Sequence, residues 1–104
     1  MYHLEYLPIA RSDMVEIVEY ISKELFNPSA AEKLANEMIQ TAQRLTEFPY
    51  ISPIYHTIKP LKYEYRKLIV KNYILLYYVE ENAKKVVVAR VVNARRDYER
   101  LLCP

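Results

Sequence analysis

The sequence of 104 residues contains no glycine. Loops that cradle phosphates, and the fingerprints that bind dinucleotides, need glycine so that the backbone can approach the phosphate groups. ATP, GTP or NAD chemistry of those kinds has no place here, and no nucleotide cofactor is expected. Cysteine is nearly absent as well. Cys103 is the only one, so no internal disulfide can form, and no Cys/His spacing resembles a zinc site. No metal or other cofactor is expected, and one thiol fits a reducing compartment. Residues 1–8 lack the apolar core of a secretion signal. The longest apolar run, Tyr73 to Val79, is far too short to cross a membrane. A cytoplasmic location without membrane contact follows as an expectation.

What is present reads as one globular domain over residues 1–104. The residues are 52% hydrophobic and 27% charged, which separates the chain from disordered compositions. A core of this size is modest. The formal net charge of +2 hides an asymmetry. Residues 1–58 carry four basic and eight acidic side chains, a balance of −4, and residues 59–104 carry eleven and five, a balance of +6. The C-terminal half has the character of a surface that meets a polyanion or an acidic partner, or of a solvated basic face.

Periodicity orders the elements. Residues 2–7 read as a short strand ended by Pro8. Met14, Ile17, Val18, Ile21 and Leu25 recur at helical spacing and form one apolar stripe. Asp13 and Glu16 have the spacing of a capping box, unless the helix begins a turn earlier. Asn27-Pro28 opens a second helix, Asn as the cap and Pro at the first position, with Phe26 and Ala31 placed for a hydrophobic staple. Ala31, Leu34, Met38, Ala42 and Leu45 are its buried stripe, and Phe48-Pro49 ends it. The connection is short, so residues 10–48 form a helical hairpin. Pro49, Pro53 and Pro60 mark residues 49–62 as irregular. Three strands follow, at residues 63–70, 73–79 and 85–92. They are linked by a Lys71-Asn72 turn, with Asn in the left-handed conformation, and by a turn over residues 81–84. Residues 95–102 could form a last short helix. The fold class is α+β, an antiparallel sheet with the helical hairpin packed on one face.

Three segments then carry a resemblance. The first is Asn27-Pro28-x-Ala30-Ala31-x-x-Leu34, closing at Leu45-x-x-Phe48-Pro49. The second is Tyr65-Arg66-Lys67-Leu68 with Tyr73-Ile74-Leu75-Leu76-Tyr77-Tyr78-Val79. The third is Val88-Ala89-Arg90-Val91-Val92 with Arg95-Arg96-Asp97-Tyr98 and Leu101-Leu102. In this order, and over about residues 9–102, they resemble the toxins of the ParE/RelE superfamily from type II toxin–antitoxin (plasmid stabilisation) modules. The chain departs from that pattern after Phe48-Pro49, where the family often has a glycine and this chain reads Tyr50-Ile51-Ser52-Pro53. The resemblance implies a RelE/ParE-like fold and a cognate antitoxin that wraps the toxin. From the basic half, the antitoxin is expected to bring acidic residues.

The family divides by target. ParE-like members poison DNA gyrase and have no recognised nuclease site, whereas RelE-like members cleave mRNA on the ribosome. RNA cleavage without a metal needs a base for the 2′-hydroxyl, an acid for the leaving oxygen and cations for the phosphorane. The resemblance puts an arginine of RelE-like nucleases at Ile74 and the C-terminal tyrosine of RelE at Leu102. Other nuclease members use a histidine near the C-terminus, but the two histidines here are His3 and His56. The gyrase-poisoning reading is therefore preferred, with a ribosome-dependent, metal-independent endoribonuclease as the alternative. A toxin that binds its antitoxin and strikes nothing is a third reading. For the nuclease, the candidate catalytic residues are Arg66, Arg90 and Arg96 on phosphate and Glu64 or Tyr98 on protons. His56 is weighed with them and read as a surface residue. The bland readings are ion pairs for Arg66, Arg90 and Glu64, helix capping for Arg95 and Arg96, and packing for Tyr98. Lys59, Lys62, Arg66, Arg90, Arg95 and Arg96 are the basic residues placed toward a partner or nucleic acid.

Overall fold

A computed structural model describes residues 1–57, 60–95 and 101–102 of the chain. Strand β1 (His3–Tyr6) leads into helix α1 (Pro8–Glu19), which continues as a π-helical turn over Tyr20–Glu24. Helix α2 (Pro28–Gln43) ends in a 3₁₀ turn, Arg44–Thr46. Strands β2 (Arg66–Val70), β3 (Tyr73–Glu80) and β4 (Lys85–Asn93) follow. The sheet order is β1-β4-β3-β2. The three hairpin-linked strands are antiparallel, as expected, while β1 joins the outer side of β4 in parallel. Parallel entry follows from the crossover through two helices between β1 and the rest of the sheet.

Both helices lie on one face. Leu34, Met38, Ala42 and Leu45 meet Val70, Leu75, Tyr77, Val86, Val88 and Val91 in the main core. All five residues of the expected α2 stripe are buried. The Asn27 side chain caps α2 by accepting from the Ala30 N–H at 3.1 Å.

Four local expectations are corrected. Helix α1 starts at Pro8, so Asp13 lies inside it rather than at its cap. Leu25 leaves the α1 stripe and is 54% exposed, because the π turn adds a residue and rotates everything after it. Its signature is the Leu25 N–H bonding back five residues to the Tyr20 carbonyl. Phe26, 88% exposed against a buried Ala31, makes no staple. The left-handed residue of the β2–β3 turn is Lys71, with φ of 54°, and not Asn72. Lys84 and Phe26 also take positive φ. A chain without glycine fills these three positions with side chains that strain there, at roughly 1–2 kcal/mol each.

A β-strand normally alternates its side chains strictly, yet Val88 and Val91 of β4 face the same core. A bulge permits this: Leu76 pairs with Arg90 and Tyr77 with Val88, leaving Ala89 as the extra residue.

Candidate functional site

The bulge aims Arg90 out of the β4 margin toward α1. There Asp13 accepts from the Arg90 Nε at 2.8 Å and from a terminal guanidinium nitrogen at 2.9 Å. The same carboxylate accepts from the Val91 N–H at 2.9 Å, on the part of the β4 edge that β1 does not reach. The side chains are only 16% and 12% exposed. The hydrogen bonds from Arg90 to Asp13 raise the Arg90 pKa above its ordinary value. Both partners are held in a bidentate, charge-assisted contact of the strong kind.

Arg66 opens β2, at the opposite margin. Its guanidinium donates to the Ser52 carbonyl at 2.7 Å and to the Tyr50 carbonyl at 3.4 Å. It lies 5.0 Å from the Tyr50 ring centroid and 3.6 Å from the exposed Glu64 carboxylate. The buried Tyr77 hydroxyl donates to the Pro49 carbonyl at 2.9 Å. Residues 49–52 are therefore tied to the sheet from two sides. A third tie reaches them from the β3–β4 turn, where Glu81 accepts from Tyr50, from Lys84 and, at 2.8 Å, from Tyr2. Hydrogen bonds from Lys84, Tyr50 and Tyr2 pull the Glu81 carboxyl down to about 2, and the bond to Glu81 pushes the Tyr50 hydroxyl up to about 12.

The face away from the helices is apolar. Tyr65, Ile74, Leu76, Tyr78, Val87, Ala89 and Val92 form a second core, against which Tyr55, Leu61, Tyr63, Leu101 and Leu102 pack. Tyr63 stacks on Tyr78 at 3.9 Å with an interplanar angle of 2°, and Tyr65 meets both edge-on. Burial, then Tyr63 beside it, pushes the Tyr78 hydroxyl up to about 12. Ile74 is 4% exposed within this layer.

Among the described residues, the candidates do not converge on one point. Arg66 and Arg90 sit on strands separated by β3, roughly 10 Å between strand axes, and each turns to its own margin. Glu64 joins Arg66 but is exposed. Lys62 sits 5.3 Å from the Tyr63 ring centroid. Arg95 is exposed, its backbone N–H held by the Asn93 side chain at 2.9 Å. His56 is exposed. Lys59, Arg96 and Tyr98, and most of the expected terminal helix, lie outside the described residues. Among the described residues there is no cluster of three or more His, Cys, Asp or Glu suited to a metal ion, and no helix is long and apolar enough to cross a membrane.

Beside Arg66 lies a groove of about 600 Å³ between the end of α2, residues 47–53 and β2, lined by Arg44, Leu45, Phe48, Ile51, Leu68 and Ile69 among others. Sequence reasoning missed it, along with Asp13 and Glu81. Asp13 is 77 residues from Arg90, and no local pattern marks such a pair.

An α1–α2 hairpin on a β1-β4-β3-β2 sheet is the fold of the RelE/ParE toxins. The toxin-containing chromosomal ParDE system of P. aeruginosa includes a chain that is 16% identical, with a TM-score of 0.74 over 91% of this chain and 98% of that one. A chain of the RelBE2 toxin–antitoxin complex of Mycobacterium tuberculosis is also 16% identical, with a TM-score of 0.65 over 88% and 96%. The isolated E. coli RelE toxin is 19% identical, with a TM-score of 0.57 over 93% and 88%. No curated protein matches the chain in sequence. Residues 4–98 match the family of ParE toxins of the type II toxin–antitoxin system parDE, and the chain belongs to that family.

Proposed function

We propose that this toxin acts by binding a protein target, DNA gyrase, and trapping its DNA-cleaved state, rather than by hydrolysing RNA. The observation that carries this reading is the environment of Ile74 and Leu102. These are the two positions where the resemblance to RelE-like nucleases calls for an arginine and a tyrosine, and both pack in the apolar layer opposite the helices. A second support is the engagement of Arg66 and Arg90 at opposite margins. Among the described residues, no acid and base flank a common point between them, as a general acid–base mechanism needs.

In this reading the whole chain is one toxin domain working in the cytoplasm, held silent by its cognate antitoxin and needing no cofactor. Such a module serves plasmid stabilisation. Lys59, Lys62, Arg95 and Arg96 serve partner contact rather than chemistry. The alternative is a ribosome-dependent mRNA endonuclease with Arg66, Arg90 and Arg96 on the phosphate and Glu64 or Tyr98 moving protons. The +6 balance of residues 59–104 favours it.

The test is purified toxin added to gyrase, ATP and plasmid, and separately to a ribosome-programmed translation reaction. Loss of supercoiling with accumulation of cleaved DNA, and intact mRNA, is the expected outcome. Cut mRNA with unaffected gyrase would establish the alternative.

A further inference from the structure

The connection between α1 and α2 ends on a strained residue. The Asn27 N–H bonds back six residues to the Ile21 carbonyl at 3.1 Å, and this closes the π turn around Phe26, whose φ is 51°. Helices commonly end on one left-handed residue, and it is usually glycine because a Cβ is crowded there. This chain puts an aromatic ring at that position and leaves it 88% exposed. Packing inside the domain does not offset the strain. Backbone strain held without such an offset concentrates at sites that bind or switch.

The neighbours of Phe26 are apolar as well. The π turn rotates Leu25 outward, and Tyr20 at its start is also exposed, each at 54%. π turns within helices occur often at functional sites. Beside Phe26 a recess of about 320 Å³ opens between the hairpin and the β2–β3 turn, lined by Ile21, Leu25, Leu34, Lys71 and Tyr73 among others. Lys71 is itself left-handed, so two of the three such residues among those described border this one surface. A projecting ring next to an apolar recess has the form of a protein-binding anchor.

Charge selects the partner. Glu19 and Glu24 are exposed around these side chains and make no ion pair among the described residues. These carboxylates repel nucleic acid. They also disfavour a second copy of the chain, because two-fold docking of the tip brings the same carboxylates together. The partner that fits is a protein with an apolar pocket set in a basic surface. An enzyme that holds DNA has basic surface of this kind, since it neutralises phosphates with Lys and Arg.

We infer that the tip of the α1–α2 hairpin is the surface by which this toxin engages the topoisomerase. The Phe26 ring enters an apolar pocket of the enzyme, and Glu19 and Glu24 meet Lys or Arg side chains of its DNA-holding surface. This rests on the gyrase reading above and adds to it the place and the chemistry of the contact.

The test titrates the full-length toxin into gyrase, ATP and plasmid and reads the concentration that gives half-maximal DNA cleavage. Two variants remove the ring while suiting the left-handed backbone, Phe26→Gly and Phe26→Asn. Each is expected to raise that concentration at least about 30-fold, with an unfolding midpoint no lower than wild type and unchanged affinity for the protein encoded beside the toxin gene. Glu19→Lys with Glu24→Lys is expected to raise it at least about 5-fold, with an effect that shrinks as salt is added. Full potency of both Phe26 variants overturns the inference and leaves the gyrase reading intact. Loss of antitoxin affinity on the same scale, or a wild-type dimer that the Phe26 variants convert to monomer, assigns the tip to another partner and overturns it too. If the wild-type toxin does not affect gyrase at all, the gyrase reading fails and the inference falls with it.

Discussion

On the β4 margin Arg90 meets a carboxylate carried by the helix beside it. On the β2 margin Arg66 meets backbone carbonyls, a tyrosine ring and an exposed glutamate. At the first margin Asp13 neutralises the arginine and also accepts the outward Val91 N–H with one side chain. The second is only half closed, since its covering segment stops at Pro53 and leaves Ile69 open. The same residue type at the two ends of one sheet thus serves architecture in both cases. A charged residue on a strand is informative only with its partner in view.

Replacement of Asp13 should have the largest effect. Asp13→Ala leaves a mostly buried guanidinium and the Val91 N–H without partners. A loss of about 3–5 kcal/mol is expected in urea unfolding, and a loss under about 1 kcal/mol would mean the margin is not held by this contact. Arg66→Ala should cost less, about 1.5–3 kcal/mol, because it frees neutral carbonyls, one of them on the exposed Tyr50, and strands no buried charge. Toxicity of this variant should fall only as far as its folded fraction does. Equal losses at the two margins would erase the distinction between them.

Strain gives a smaller effect of opposite sign. Phe26→Gly relieves a left-handed backbone at a position that buries almost nothing. It should raise stability by about 0.5–1 kcal/mol, the relief being reduced by the greater unfolded-state freedom of glycine. Thermal unfolding measures it, and a decrease would show that Phe26 has packing value.

The last effect appears only in acid. The folded Glu81 carboxyl is depressed from 4.5 to about 2, so its hydrogen bonds stabilise the fold above its unfolded pKa and are lost as pH falls through that window. Wild type should lose stability more steeply than Glu81→Gln between those values, and the two curves should run parallel above them. Identical acid limbs would show that Tyr2, Tyr50 and Lys84 do not hold Glu81 in solution.

Much of the fold was legible because it is written locally. Asn27-Pro28 set the start of α2, the Ala31–Leu45 stripe set its buried face, and β-branched and aromatic runs set β3 and β4. What escaped depends on distant or collective terms. The π turn that expels Leu25 has no residue signature. In the turn closed by the Val70–Tyr73 pair it is Lys71, and not Asn72, that takes the left-handed position, against the preference of the residue. The parallel docking of β1, the Asp13–Arg90 contact and the Glu81 cluster each join residues far apart in the chain. The candidate site was legible as a set of residue types. The partner of each side chain was not, and it is the partners that separate Arg66 from Arg90.

The most direct measurement is a short induction of the toxin without its antitoxin, with labelled thymidine and labelled methionine incorporation followed in parallel. A toxin that poisons gyrase stops thymidine incorporation first while methionine incorporation continues. Methionine incorporation that stops first would contradict the account and make the chain a nuclease that blocks translation.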